Sequence, residues 1–104
     1  MHKYTQEEFD KFELIDGRKQ CPTGDYSLIK VFGEMCSFGA GCSFGVDCNF
    51  GKLCRFGKRC DFGDWCKFGE LCKFGELCRF GELCNFGKRC HFGDWCSFGE
   101  WCKF

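Results

Sequence analysis

Phe-Gly occurs at residues 32–33 and returns every six residues as far as Phe98-Gly99, and Phe104 keeps the same phase. A Cys follows each Phe of the series by four residues, from Cys36 to Cys102. The unit is Phe-Gly-x-x-Cys-x, as in Phe68-Gly-Glu-Leu-Cys-Lys73. Self-similarity of this kind constrains the fold more than any local propensity. A period of six does not suit a helix, whose apolar residues recur at three and four. It suits a strand with a turn in each unit. Within Cys-x-Phe the two apolar side chains are two apart, so on a strand they point the same way. The residue between them faces water, and none of the twelve at that position, from Ser37 to Lys103, is aliphatic. The Gly is expected to form the corner, because it tolerates backbone angles that other residues avoid. Short strands joined by corners make a coiled solenoid, with coils paired through parallel backbone hydrogen bonds about 4.8 Å apart.

The unit resembles the hexapeptide repeat of left-handed parallel β-helices. That family has a large apolar residue first, a small residue second and a small inward residue fifth, here Phe74, Gly75 and Cys78. The resemblance implies three strands and about eighteen residues per coil, hence about four three-sided coils. The chain departs from it in size, with Phe where Leu, Ile or Val is usual. A flatter coil of twelve residues is the rival. Eighteen-residue stacking aligns Glu34, Lys52, Glu70 and Lys88 in an alternating column, whereas twelve-residue stacking aligns Glu76, Lys88 and Glu100. Each scheme also stacks like charges, so charge does not choose; the resemblance favours three faces. The expected organisation is all-β, with a capping segment over residues 1–25 and a left-handed parallel β-helix over residues 26–104.

The segment before the repeats reads as the cap that a solenoid needs over its open end. Met1 to Lys3 read as a frayed start. Thr5 and Glu8 form a capping box, which opens a short helix over residues 6–11; residues 11–15 read equally well as a strand. Asp16-Gly17 is a turn. Phe9, Phe12, Leu14 and Ile15 are expected to cover the end of the core. Tyr26 lies six residues before Phe32 and reads as a first, degenerate rung. Cys21 is out of phase with the other cysteines, and reads either as an exposed reactive thiol or as a buried cap residue.

Thirteen cysteines in 104 residues would ordinarily suggest a disulfide scaffold. The odd count, the absence of a secretion signal and the strict alternation with Phe point instead to reduced, buried thiols acting as small apolar groups. They also place the chain in the cytoplasm. No apolar run is long enough to span a bilayer. Net charge is zero, which argues against nucleic acid as a partner.

Enzymatic readings lack residues. Some left-handed β-helix proteins are acyltransferases that use a His between subunits, and others resemble carbonic anhydrases with three His ligands. This chain has only His2 and His91. The repeats hold no threonine row for ice binding, no complete phosphate loop and no converging triad. No catalytic, cofactor or metal residue is therefore assigned.

A second resemblance is to CCCH zinc fingers, whose Cys-x5-Cys segment often holds an aromatic-Gly pair, as in Cys78-Arg-Phe-Gly-Glu-Leu-Cys84. Those fingers also place a His four residues after the last Cys, where this chain has Lys88 and never a His. The resemblance implies a zinc- or RNA-binding cysteine-rich module, which is the alternative to the favoured reading. That favoured reading is a non-enzymatic scaffold for self-association or for a protein partner. Its contact surface would be built from the outward residues that precede Cys, namely Trp65, Leu77, Leu83, Trp95 and Trp101, together with Phe104.

Overall fold

The computed structural model describes all of residues 1–104 and is a parallel β-solenoid with a small helical cap. The cap holds α1 (Gln6–Asp10), β1 (Leu14–Ile15) and β2 (Arg18–Cys21). The coils begin with β3 (Val31–Phe32) and β4 (Cys36–Phe38). They continue as β5 (Asn49–Phe50), β6 (Arg55–Phe56), β7 (Asp61–Phe62), β8 (Lys67–Phe68) and β9 (Lys73–Phe74). The last strands are β10 (Arg79–Phe80), β11 (Asn85–Phe86), β12 (His91–Phe92) and β13 (Ser97–Phe98).

These strands form three faces. Face 1 is β2-β4-β6-β9-β12, face 2 is β7-β10-β13 and face 3 is β3-β5-β8-β11. Asn49 pairs with Lys67 and Lys67 with Asn85, so one coil is eighteen residues and the stack has about four turns. Hydrogen bonds run between coils at strands and corners alike, as in Lys67 N–H to Cys48 O at 2.8 Å and Leu53 N–H to Glu70 O at 3.0 Å.

The core answers how three Phe fit in one layer. Each ring stacks on the ring eighteen residues away, as Phe62 does on Phe80 at 4.8 Å and 1°. It meets the next face edge-on, as Phe62 does Phe68 at 5.1 Å and 84°. Edge-to-face contact sets the positive ring edge against the negative ring face, worth about 0.5–1.5 kcal/mol per pair beyond burial. The cysteines fill the three inner corners.

The glycines have a different cause from the one expected. No glycine of a Phe-Gly pair has a positive φ; the left-handed residue of each corner is the one before Cys, with φ from 57° at Met35 to 66° at Trp95. From Gly39 onward the Phe-Gly glycine is required by close approach. A Cβ on Gly75 would lie 2.6 Å from the Lys58 nitrogen in the coil below. At one corner the left-handed residue is itself a glycine, Gly41 before Cys42, with φ 72°.

At the cap, Thr5 and Glu8 form the capping box, with α1 ending at Asp10 and β1 following it, so helix and strand are both present. Phe9 is buried edge-on against Phe32, Tyr26 is buried and stacked on Phe44, and Tyr4 stacks on Tyr26. Two expectations are corrected and one open alternative is decided. Leu14 and Ile15 are exposed on β1, the outermost strand of its sheet, and Phe9, Phe12 and Tyr4 pack against the end of the core instead. Lys3 is bridged to Asp25 rather than frayed. Cys21 is buried beside Phe38, which excludes the exposed-thiol reading.

Candidate nucleic-acid interface

The coil register sorts the outward side chains into columns, and the columns differ in charge. On face 1, Ser37, Arg55, Lys73 and His91 stand in line. Neighbouring cations in register repel one another, a cost that a bound polyanion relieves. At the corner between faces 2 and 3, opposite face 1, the column of Trp65, Leu83 and Trp101 runs beside Asp64, Glu82 and Glu100. Zero net charge therefore conceals a basic face and an acidic ridge.

Between them, at the corner joining faces 1 and 2, lies a groove of about 370 Å³ lined by Arg59, Asp61, Leu77, Arg79, Trp95 and Ser97. Asp61, Arg79 and Ser97 are the outward residues of β7, β10 and β13, paired in register. Arg59, Leu77 and Trp95 come from the left-handed corner position, with φ of 61°, 61° and 66°, which turns their side chains out beside that strand column. Arg79 Nε is 4.0 Å from Asp61 Oδ1, and both side chains are largely exposed, so the pair is weak and leaves the guanidinium free for another acceptor. Trp95 is 82% exposed. An open indole that shares a groove with two guanidiniums, one and two coils below it, can stack a base while those cations meet its phosphates. A second hollow, lined by Gln20, Cys21, Pro22, Ser37, Phe38 and Gly39, brings no charged side chain to bear.

The proposed contact residues do not form one surface. Trp65, Leu83 and Trp101 share the acidic ridge, while Leu77 and Trp95 belong to the groove. Phe104 lies at the last coil, stacked on Phe86 and 71% exposed. Sequence reasoning passed over Arg59 and Arg79, although eighteen-residue stacking puts Arg59 in the column of Leu77 and Trp95, and Arg79 in the strand column next to it.

The family model for the RNA-binding, Nab2-type zinc finger matches residues 36–51, 53–69, 67–81, 71–87, 77–99 and 89–104, well over half of the chain. The chain belongs to that family. No curated protein and no solved structure matches it. The family match bears out the weaker of the two resemblances, and it sets the nucleic-acid question against the argument from net charge. The solenoid architecture is shared with the hexapeptide-repeat proteins, but no such family is shown.

A zinc finger implies zinc, so the thiols must be tested as a donor set. The thirteen cysteines are unpaired, and those of the repeats lie in three ladders along the inner corners. Their thiols donate to backbone carbonyls of the preceding coil, as Cys78 Sγ does to Gly57 O at 3.4 Å. Cys36, Cys54 and Cys66 are pushed up to about 12, first by a neighbouring thiol and then by burial, whereas Cys42, Cys48 and Cys78 are pulled down by a neighbouring thiol, Cys78 to about 7, so the ladders mix firmly protonated thiols with thiols that ionise more readily. No three His, Cys, Asp or Glu groups converge as a metal site would require. His91 is exposed on face 1, while Cys90 next to it turns inward. Zinc wants four thiolate or imidazole ligands around one point, and this arrangement does not supply them. No helix is long and apolar enough to cross a membrane.

Proposed function

We propose that the chain is a non-enzymatic RNA-binding module whose groove takes an unpaired segment. In this reading Trp95 stacks on a base, Arg59 and Arg79 meet phosphates, and the row Arg55, Lys73 and His91 carries the strand onward across face 1. The family match, together with the joining of Trp95 to two arginines in one groove, is what supports it. An unpaired strand is favoured because an indole can stack only on a base that is not already stacked in a duplex. The outward groups repeat along columns rather than converging on a reacting atom, which favours binding over catalysis. The free thiols suit a reducing compartment, and a cytoplasmic setting is part of the proposal. The test is fluorescence anisotropy with labelled single-stranded and duplex RNA across a salt series. Single strands should bind more tightly, with a log-log salt slope near −2 for about three phosphate contacts. Equal, salt-insensitive affinity for both would end the reading.

Self-association is a second reading, favoured by a separate observation. Trp65 and Trp101 on the acidic ridge are 53% and 76% exposed, and Phe104 lies open on the last coil. In this reading the solenoid is a homodimeric or larger scaffold, joined by the ridge or by the coil end. Light scattering over a dilution series, with wild type and Trp101→Asp, tests it. A monomeric wild type at high concentration removes it.

A further inference from the structure

The residues that would ligate zinc in a finger are, in this fold, part of the wall of the core. Cys48, Cys54, Cys60, Cys66, Cys72 and Cys78 are completely enclosed. Along each ladder, thiols follow one another at the coil spacing of about 4.8 Å. Across the coil, ladders are separated by the Phe triangle. Tetrahedral zinc with Zn–S bonds near 2.3 Å needs its four sulfurs within about 3.8 Å of each other. A straight row offers neighbours on two sides only, and the other two ligands would have to come through packed rings.

The unfolded chain is not restricted in this way. Cysteines every six residues on a flexible backbone can wrap around one ion in many combinations. Whatever binds the unfolded chain and not the folded one shifts the equilibrium toward unfolding by mass action. We propose that zinc and the solenoid are mutually exclusive states of this chain: the solenoid forms without metal, and zinc draws the chain out of it. Each ion bound through four cysteines would form four Zn–S bonds and release four thiol protons to water. The opening would begin at Cys90, Cys96 and Cys102, the only thiols that are not fully buried. The zinc-finger repeat of this family then serves here as a metal-sensitive switch out of a metal-free fold. This inference is independent of the RNA reading, since it concerns only the folding equilibrium.

The experiment is thermal unfolding followed by circular dichroism, on the full chain purified under reducing conditions, in chelator and in a series of free zinc concentrations. Elemental analysis of the folded fraction accompanies it. The chelated protein should be folded and free of stoichiometric metal. Its Tm should fall by several degrees as zinc rises, and chelator should restore it. The triple variant Cys90→Ser, Cys96→Ser and Cys102→Ser should respond less to zinc; should it fail to fold, the wild-type series still decides. A Tm that rises or stays constant with zinc, unfolding by chelator, or stoichiometric zinc in folded protein overturns the proposal.

Discussion

The groove corner and the ridge corner have the same backbone and different charge. Each repeats Phe-Gly-x-x-Cys, each turns through a left-handed residue before Cys, and each packs Gly against the coil below. One presents Arg59, Leu77 and Trp95, the other Trp65, Leu83 and Trp101. Before them stand Lys58, Glu76 and Asp94 on one side, with Arg79 and Asp61 on the adjoining strands, and the uniformly acidic Asp64, Glu82 and Glu100 on the other. The repeat fixes where a side chain stands; only the unrepeated residues decide what it meets. Damage to the repeat should therefore strike both corners alike, and damage to the variable residues should separate them.

The largest effect should come from the shared glycines. Gly75 at the groove corner and Gly81 at the ridge corner each leave no room for a Cβ, with backbone of the lower coil at 2.6 Å and 2.7 Å. Gly75→Ala and Gly81→Ala should each lose about 3 kcal/mol in a denaturant titration, because neither backbone can give way without breaking a rung. A large loss at one and none at the other would show that the corners are not equivalent.

Next comes charge. Arg59→Glu with Arg79→Glu should weaken single-stranded RNA binding about a hundredfold at low salt and flatten the salt slope. Asp64→Lys with Glu82→Lys should leave it unchanged or improve it. Anisotropy at two salt concentrations measures both.

Alkaline pH should again treat the corners together. Thiol–thiol hydrogen bonds and then burial push Cys54, Cys66 and Cys36 up to about 12, while bonds of the same kind pull Cys42, Cys48 and Cys78 down; the bonds offset along a ladder, and burial, which pushes each of these thiols up from its unfolded value, sets the net direction. The unfolded state then binds fewer protons, so stability is complete below the ordinary thiol range and is lost as pH rises toward 12. Denaturant midpoints measured from pH 7 upward should be level and then fall. A rise would reverse the assignment.

The smallest effects separate consecutive corners through φ alone. Gly41, in the groove column, has φ 72° and room for a Cβ in ordinary contact with Thr23 Cγ2 at 4.0 Å, whereas Asp47, in the ridge column, has φ 57° with a side chain already there. Gly41→Ala should lower stability by about 1–2 kcal/mol and Asp47→Gly raise it by about 1 kcal/mol. Denaturant midpoints of the two variants check the signs.

Much of this was legible in the chain. The six-residue phase placed Phe50, Phe56 and Phe62 inward, one on each face, and Thr5 with Glu8 marked the start of α1. Coil length was not legible from charge, since Glu34, Lys52, Glu70 and Lys88 are exposed and weakly coupled, whereas Phe stacking sets the register from inside. The role of glycine was misread because a clash with the coil below is a contact between distant residues, invisible along the sequence. The groove was missed for a related reason. Arg59, Arg79 and Trp95 belong to three different coils, and only the register brings them together. Charge summed over the whole chain hid what charge sorted by column makes plain.

The most direct test of the account compares two tryptophans that the repeat treats identically. Single-stranded RNA affinity is measured in chelator, at low salt, for wild type, Trp95→Ala and Trp65→Ala, with circular dichroism confirming that each is folded. Binding should occur without metal, with a loss of about tenfold or more for Trp95→Ala from a missing base stack and wild-type affinity for Trp65→Ala. No binding in chelator, or equal losses at the two tryptophans, would contradict it.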